Sequence, residues 1–436
     1  MKITFLGAGS TIFAKNVLGD CILTPALGNF DIALYDIDET RLQESHAMLD
    51  NINKKYNGKA TIKSYTNRIE ALTGADFIVN AVQIGGYEPC TVTDFEIPKK
   101  YGLRQTIGDT MGIGGIFRAL RTIPVVEEFA HDAEKVCPNA LFINYVNPMA
   151  MITGYLQKYT SMKTVGLCHS VQYCVDSLLK SLGMYDEYFA DCKWEIAGIN
   201  HMAWLLKIQD KNGIDLYPEI KRRSLSGEYD DKFRWDLVRH QIMHRFGYYN
   251  TESSEHTSEY HAWFIKSKYP ELIEKYNIPL DEYPRRCVKQ INEWKELKEK
   301  VTGEGVEHTL SREFAAHIME AMITDKPYRL HGNVLNKGFI TNLPEDACVE
   351  VPCMVDRTGI HPVFVGALPE QCAALNRTNI NVQNLVIEAA HERSKEKVYM
   401  AAYLDPHMMS ELSLDDIKSL CDDMFAAHGS WIPEYK

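Results

Sequence analysis

A glycine-rich turn stands near the N-terminus, between a short apolar run and the start of a helical pattern. The run Lys2–Leu6 predicts a buried strand, and Gly7 permits the tight turn after it. Gly9 lets the backbone approach a pyrophosphate at the positive end of a helix opened by Ser10. Asp36, at the end of the next predicted strand, can bind ribose hydroxyls and repels a 2′-phosphate. The turn therefore predicts a dinucleotide site that prefers NAD to NADP.

The third glycine usual in such turns is missing, because Ile12 stands in its place, so a plain strand-to-helix turn is the alternative. Strands and helices nevertheless alternate along the first third of the chain. The predicted strands are Lys2–Leu6, Phe30–Tyr35, Ala75–Val82, Ala140–Tyr145 and Thr164–Leu167, and the predicted helices are Ser10–Leu23, Asp38–Tyr56 and Gly115–Val136. This pattern is typical of an α/β fold with a Rossmann-like, doubly wound parallel sheet, which binds ligands beyond the carboxyl ends of its strands.

The periodicity weakens after about Lys193, where Tyr, Trp, His and charged residues become more frequent. We therefore expect an NAD-binding domain over residues 1–192 and an α+β substrate domain over residues 193–436. The predicted helices of the second domain are Asp231–Phe246, Leu280–Lys300, Ser311–Ile323, Ile380–Leu404 and Leu414–Ala427, and its predicted strands, which would form a smaller sheet, are Val334–Leu343 and Ala347–Val355.

The composition narrows the possible partners and the compartment. With 47 Lys and Arg against 59 Asp and Glu among 436 residues, the net charge of −12 argues against nucleic acid and against an anionic membrane surface. We expect no secretory leader and no membrane helix, because no apolar stretch of the chain has the required length. We therefore expect a cytoplasmic location, which would keep the 11 cysteines reduced.

Two further turns follow predicted strands and so fall where a doubly wound sheet has its crevice. Gln83, in QIGGY, is a candidate cofactor contact, and Asn147, in NYVNP, can hydrogen-bond a sugar hydroxyl or the nicotinamide ribose. Gly-Gly and Asn-Pro are also ordinary turn formers, so the local sequence leaves both interpretations open.

Cys168 and His201 also end apolar runs, in GLCHS and GINHM. A thiolate and an imidazole are a plausible pair of ligands for a divalent first-row metal, with water or substrate oxygens completing the shell. Their separation of 33 residues is not a local metal motif. Packing of a buried cysteine and a nucleophile with its base remain the alternatives.

The segment TESSEHTSEY, residues 251–260, is dense in acid and base side chains, and its default interpretation is a solvated, charged helix face. Asp109, in a glycine-rich loop, can activate a neighbouring group or form an Asx turn. The pair Arg285 and Arg286 can bind an anionic or hydroxyl-rich ligand, or simply solvate a helix end.

Taken in order, the segments GAGS, IGGYEPC, NYVNPMA, GLCHS, GINHM and ESSEHTSEY resemble glycoside hydrolase family 4, whose glycosidases depend on NAD and manganese. The resemblance covers essentially the whole chain and is closest to members that cleave unphosphorylated α-galactosides such as melibiose. It implies that NAD oxidises C3 of the sugar, a base removes the C2 proton, and the glycosidic oxygen leaves. Water then adds at C1 and the hydride returns, so NAD is not consumed.

The resemblance also implies roles for individual residues. Cys168 and His201 match the ligands of Mn²⁺ or another divalent metal, which acts as a Lewis acid. Tyr260 matches the base for the C2 proton. A tyrosine in this role needs a lowered pKa, and the charge of the nearby metal would lower the pKa of Tyr260. Asp109 matches an acid that raises the basicity of this tyrosine.

Three more residues match substrate positions or depart from them. Asn147 matches a sugar-hydroxyl ligand, and Arg286 is our choice for a substrate contact. His169 stands where the phospho-α-glucosidases of the family carry an aspartate that serves as general acid. A histidine can donate a proton to the leaving oxygen or contact a sugar hydroxyl, and its presence argues against a phosphorylated substrate.

Other functions remain possible at this level. An α-glucosidase or α-glucuronidase of the same family would use the same residues. A 2-hydroxy-acid dehydrogenase would share the lactate and malate dehydrogenase plan of the predicted fold, but would need no metal and would consume NAD. The family resemblance also implies a homodimer or homotetramer.

Overall fold

The computed structural model of the protein describes residues 1–303 and 305–436. In these residues twelve strands form one continuous sheet. The strands are β1 (Lys2–Leu6), β2 (Phe30–Tyr35), β3 (Ala60–Tyr65), β4 (Phe77–Asn80), β5 (Leu141–Asn144), β6 (Lys163–Gly166), β7 (Lys193–Ile199), β8 (Met202–Gln209), β9 (Tyr249–Asn250), β10 (Tyr328–Leu335), β11 (Cys348–Asp356) and β12 (Gly359–Pro362).

Nineteen α-helices lie in the same described residues. They are α1 (Thr11–Ile22), α2 (Glu39–Lys55), α3 (Arg68–Leu72), α4 (Val92–Lys99), α5 (Gly112–Val136), α6 (Met149–Tyr159), α7 (Ser170–Ser181), α8 (Tyr185–Tyr188), α9 (Tyr217–Leu225), α10 (Asp230–Phe233), α11 (Leu237–Phe246), α12 (Ser254–Glu259), α13 (Glu271–Lys275), α14 (Glu282–Thr302), α15 (Ala315–Thr324), α16 (Glu370–Glu392), α17 (Lys395–Leu404), α18 (Pro406–Glu411) and α19 (Leu414–His428). Shorter helical turns lie at Pro25–Leu27, Gly86–Thr91, Arg234–Asp236 and Gly429–Trp431.

The first six strands are parallel and lie in the order β3-β2-β1-β4-β5-β6. Every residue of β4 and β5 is buried, as expected for inner strands covered by helices on both faces. The strand order reverses between β1 and β4, which opens a crevice beyond their carboxyl ends. The predicted doubly wound, Rossmann-like α/β fold is confirmed.

The remaining strands extend this sheet, so the prediction of a separate smaller sheet is wrong. β10 pairs antiparallel with β6, placing Asn333 opposite Gly166, and the order continues through β11, β7, β8 and β9. A Cβ on Gly166 would lie 2.5 Å from Thr153 Oγ1, so a larger residue there would push α6 away from the strand. Because β10 pairs with the outer edge of β6, the sheet does not end at β6.

Two predicted boundaries are wrong for local reasons. The strand predicted at Val334–Leu343 is β10, which ends at Leu335, because Asn336 folds the following loop by donating its side-chain amide to the carbonyls of Ile340 and Leu343. The helix predicted over residues 380–404 is two helices, α16 and α17. The chain breaks at Arg393, where φ is +55°, and Ser394 then caps α17 by accepting from the N–H of Lys397 at 3.3 Å.

The main hydrophobic core draws residues from both ends of the chain, including Ile3 and Tyr435, and a second, smaller core includes Leu178 and Ile220. Helices α16, α17 and α18 pack on α5, α16 also packs on α6, and α19 packs on α4, so the end of the chain covers helices of the first half. The boundary between residues 192 and 193 remains a prediction. Among the described residues, no helix combines the length and apolarity needed to cross a bilayer.

Candidate active site

Close contacts hold the glycine turn after β1 in place. The N–H of Gly7 donates to the carbonyl of Tyr35 at 3.0 Å. Gly7 has φ of +88°, and a Cβ there would lie 2.8 Å from the carbonyl of Ala81, so only glycine fits. A Cβ on Gly9 would lie 2.8 Å from Oδ2 of Asp36, which accepts from the Gly9 N–H at 2.6 Å. The approach of Asp36 is thus a second reason for Gly9, beside the pyrophosphate that the sequence suggested.

The other predicted cofactor residues lie along the same edge of the sheet. Ser10 immediately precedes α1 and donates its N–H to the carbonyl of Gly7 at 3.0 Å. Oδ1 of Asp36 accepts from the N–H of Asp38 at 2.9 Å, which fixes the carboxylate at the end of β2. Gln83 is exposed in the loop that follows β4. Their contacts with a cofactor remain predictions.

A possible metal centre lies where β6, the β7–β8 turn and the loop after β9 meet. One ligand atom from each of Cys168, His201 and Glu252 lies within 4.8 Å of the other two. Oε2 of Glu252 is 3.6 Å from Nε2 of His201 and 4.0 Å from Sγ of Cys168. The structure therefore brings the two predicted ligands together and adds a carboxylate that the sequence analysis did not select.

The chemistry of this donor set fits a divalent first-row ion. Thiolate, imidazole and carboxylate together bind such ions, and three protein ligands leave positions for water or substrate oxygens. Burial raises the pKa of the Cys168 thiol to about 12, and the charge of Glu252 acts in the same direction. A cation at this point would favour the thiolate instead.

Tyr260 lies against the metal centre. It is 1% exposed, and its hydroxyl oxygen is 3.3 Å from Nδ1 of His201. Burial raises the pKa of Tyr260 well above its usual value, and the negative charges of Asp109 and Glu252 raise it further. Asp109 therefore acts on Tyr260 in the predicted direction, toward a stronger base.

The structure also brings Asp109 and Asn147 into contact. Asp109 accepts from the side-chain amide of Asn147 at 3.2 Å and from the hydroxyl of Thr110 at 2.7 Å. Arg118, on α5, donates to the carbonyl of Asn147 at 3.3 Å. Burial alone would raise the pKa of Asp109, but the charge of Arg118, followed by that of His256, holds it below its usual value. Asp109 is therefore a buried carboxylate beside the metal centre.

The default interpretation of residues 251–260 as a solvated helix face is wrong. Every residue of α12 except Glu255 is buried, and Tyr260 follows its last residue. Glu259 accepts from the N–H groups of Thr106 and Gly108, the latter at 3.1 Å, and so ties α12 to the loop that carries Asp109. Burial raises the pKa of Glu259 to about 7. Glu259 can therefore point inward, because the fold supplies hydrogen-bond donors for its carboxylate.

His169 follows Cys168 at the edge of the same site. Its Nε2 lies 2.8 Å from Oε2 of Glu313, a residue of the loop before α15. Burial lowers the pKa of His169, but the hydrogen bond and the charge of Glu313 outweigh burial and raise it above its usual value. His169 thus has a carboxylate partner that can hold its proton.

The arginine pair lies farther from the metal ligands. Arg286 contacts Glu255 at 3.0 Å and Glu282 at 2.8 Å, whereas Arg285 contacts Glu282 at 2.8 Å. Arg286 therefore reaches α12, the helix that leads to Tyr260, and is the better placed of the two. A substrate contact by Arg286 remains a prediction.

Comparison with known proteins agrees with this geometry. Residues 2–184 match the family 4 glycosyl hydrolases, and residues 196–408 match the C-terminal domain of that family. The chain belongs to glycosyl hydrolase family 4. This family 4 chain is 59% identical to an α-galactosidase of Bacillus subtilis, with all of both chains covered. It is 34% identical to an α-galactosidase of Rhizobium meliloti, covering 100% of this chain and 89% of that one.

Solved structures resemble the family 4 chain along its whole length. A 6-phospho-α-glucosidase from gut microorganisms, in complex with NAD and Mn²⁺, superposes with a TM-score of 0.80 at 22% identity, covering 100% of this chain and 99% of that one. A 6-phospho-β-glucosidase from Thermotoga maritima, with manganese, NAD⁺ and glucose-6-phosphate, gives a TM-score of 0.77 at 24% identity, covering both chains fully. At these identities the likeness concerns the fold alone.

Sequence reasoning missed three residues that the fold of this family 4 chain brings to the site. Glu252 was hidden in a segment with the composition of a charged helix. Arg118 lies on α5, where it is only 7% exposed, and its sequence position alone did not show this burial. Glu313 is 144 residues from its partner His169, and no local pattern joins the two.

Proposed function

We propose that this chain is an α-galactosidase that hydrolyses unphosphorylated α-galactosides of the melibiose type, with NAD and a divalent metal, Mn²⁺ first, as cofactors. The observation that carries the proposal is the 59% identity with the Bacillus subtilis α-galactosidase over the full length of both chains. The meeting of Cys168, His201, Tyr260 and Asp109 in one site supports it further. An α-glucosidase or an α-glucuronidase of the same family has less support, because the two relatives described above, at 59% and 34% identity, are α-galactosidases.

The residues divide into two binding groups. The glycine turn and Asp36 would hold NAD, and Cys168, His201 and Glu252 would hold the metal. When bound, NAD supplies a hydride acceptor for C3 of the sugar, and the metal supplies Lewis-acid charge for the sugar oxygens. Asn147 would bind a sugar hydroxyl near Asp109.

His201 connects the metal group to the base. Its Nε2 faces Glu252 and would bind the metal, so its Nδ1 would carry the ring proton and donate a hydrogen bond to the oxygen of Tyr260, 3.3 Å away. This hydrogen bond would orient Tyr260 to accept the C2 proton, while the charge of Asp109 favours proton uptake. His169, held by Glu313, would protonate the leaving oxygen.

A direct assay tests this function. The purified protein is incubated with catalytic NAD, Mn²⁺ and a nitrophenyl α-galactoside, and nitrophenol and NADH are measured together. We expect nitrophenol without net NADH, and no release when either cofactor is omitted. Net NADH without nitrophenol would instead establish a dehydrogenase. Faster release from the α-glucoside or the α-glucuronide would overturn the galactoside assignment.

We further propose a cytoplasmic homodimer or homotetramer. Helices α17 and α18 and the start of α19 expose large apolar side chains that a second copy can cover, namely Met400, Leu404, Met409 and Leu414, which are 41%, 46%, 59% and 65% exposed. Light scattering on the purified protein tests the assembly, and a monomer at micromolar concentration would contradict it.

A further inference from the structure

A buried polar cluster joins the end of the chain to its first half. Asp94 of α4, Arg121 of α5 and His428 of α19 are 2%, 1% and 2% exposed. The guanidinium of Arg121 binds Asp94 through both terminal nitrogens, at 3.1 and 2.6 Å. Nε2 of His428 lies 3.0 Å from Oδ1 of the same carboxylate. We name these three residues the Asp94 cluster.

The cluster reaches the loop after β4, which faces the crevice of the sheet. The remaining guanidinium nitrogen, Nε of Arg121, donates to the carbonyl of Ile84 at 3.1 Å. Ile84 follows Gln83, the predicted cofactor contact. A Cβ on Gly85 would overlap Cys90 Sγ and come within 3.7 Å of the Trp431 ring, so the C-terminal residues also cover the next position of this loop. Arg121 thus holds the loop through a backbone carbonyl, and Trp431 lies near the next residue of the loop.

The orientation of Arg121 depends on the C-terminal helix. Asp94 accepts both terminal nitrogens of Arg121, and His428 in turn binds Asp94 and stacks on Phe117 of α5, with ring centroids 5.8 Å apart. A buried carboxylate that loses one of its partners can rotate, and a bidentate guanidinium follows it. The matched family region ends at residue 408, so α19 lies beyond it.

We propose that His428 is a positioning residue for cofactor binding: acting through Asp94 and Arg121, it fixes the loop of residues 83–86 in the form that receives the dinucleotide. The inference rests on the proposed NAD site. Through the bonds described above, His428 contacts none of the three residues of the candidate metal centre, Cys168, His201 and Glu252. It therefore affects the dinucleotide and leaves the metal centre unchanged.

The test compares His428→Leu with His428→Gln and measures NAD and Mn²⁺ binding to each by calorimetry, together with KM and kcat. Leucine removes the bond to Asp94, whereas the amide of glutamine can replace Nε2. We expect His428→Leu to raise the Kd and KM for NAD about tenfold, with the Kd for Mn²⁺ and kcat at saturating NAD within twofold of wild type. His428→Gln should recover most of the NAD affinity.

His391→Phe is the control. His391 lies in α16, stacks on Tyr159 of α6 with ring centroids 3.7 Å apart, and is not part of the Asp94 cluster. If His428→Leu does not fold, Trp431→Ala, at a position 45% exposed, is the substitute, with a rise of about threefold expected in the Kd for NAD. Unchanged NAD affinity in the folded variant, or an equal loss of Mn²⁺ affinity, would overturn the inference. If the wild-type protein itself binds no NAD, the proposed function fails instead.

Discussion

His201 and Glu252 share an uncommon backbone conformation. Their φ angles are +63° and +68°, in the left-handed region, where a residue with a Cβ costs about 1–2 kcal/mol relative to the right-handed form. Both side chains belong to the three-residue metal cluster. Strain at two of these three residues indicates that the surrounding structure holds their side chains in place at a cost to stability. The positions of Cys168 and His201 after apolar runs, together with the family resemblance, pointed to these two residues, but nothing in the sequence showed that Glu252 turns inward.

Glu252→Gln is expected to weaken Mn²⁺ binding at least about tenfold, because it removes a charged oxygen from the cluster. Electron paramagnetic resonance titration of free Mn²⁺ measures this Kd. Glu195→Gln, a change at an exposed residue paired with Lys207, is the control. Equal Mn²⁺ affinities for the two variants would exclude Glu252 as a ligand.

Tyr260→Phe is expected to lower kcat at least about 100-fold and to abolish exchange of the C2 proton with deuterated solvent. The phenylalanine ring keeps the buried packing, so the affinities for NAD and Mn²⁺ should stay within twofold of wild type. Proton exchange is followed by nuclear magnetic resonance of the recovered sugar. Normal exchange would assign the base to another residue.

Among the elements, buried strands were the most predictable. β1, β2, β4 and β5 are short apolar runs that the fold buries almost completely, whereas β6 is buried only at Val165 and Gly166. Asp38 caps α2 by accepting from the N–H of Arg41. The edge strand β3 was not predicted, because its sequence, ATIKSY, lacks an apolar run. In the structure none of its residues is fully buried. The break between α16 and α17 depends on one left-handed residue, Arg393, which no sequence periodicity reveals.

Ser394→Ala should lower the free energy of unfolding by about 1 kcal/mol, because it removes the side-chain cap of α17. Urea denaturation followed by circular dichroism measures the difference. Ser253→Ala is the matched control: Ser253 precedes α12 in a similar extended conformation but, within the described residues, makes no side-chain cap hydrogen bond. A loss of equal size in both variants would show that the cap is not responsible.

At the scale of the whole molecule, the chain forms one sheet and one main core in its described residues. The change of composition near Lys193 coincides with the change from parallel to antiparallel strands, which is why the sequence suggested two units. Pairing of β6 with β10 could not be foreseen, because it joins residues 167 positions apart. The acidic net charge argues against nucleic-acid and anionic-membrane partners, but it specifies no feature of the fold.

Glu259 should make the stability of the folded protein depend on pH. Burial raises its pKa from an ordinary 4.5 to about 7, so between these values the unfolded state releases a proton that the folded state retains. Its contribution is therefore complete below pH 4.5 and is lost as the pH rises through 7, with a size on the order of 3 kcal/mol.

The comparison with Glu259→Gln isolates this effect. The free energy of unfolding of the wild-type protein minus that of the variant should be larger at pH 5 than at pH 8, measured by urea denaturation at both values. A difference that stays constant, or that grows toward pH 8, would contradict the assignment.

The packing of α16 on α5 and α6 has a consequence for biosynthesis. The apolar faces of α5 and α6 leave the ribosome long before residues 370–392, which cover them in the finished protein. At roughly 5–20 residues per second, more than 200 residues are still to be made, so those faces wait roughly 10–40 s for their partner. During synthesis this chain needs protection from aggregation, and a nascent chain stopped before α16 would be a substrate for chaperones or proteases.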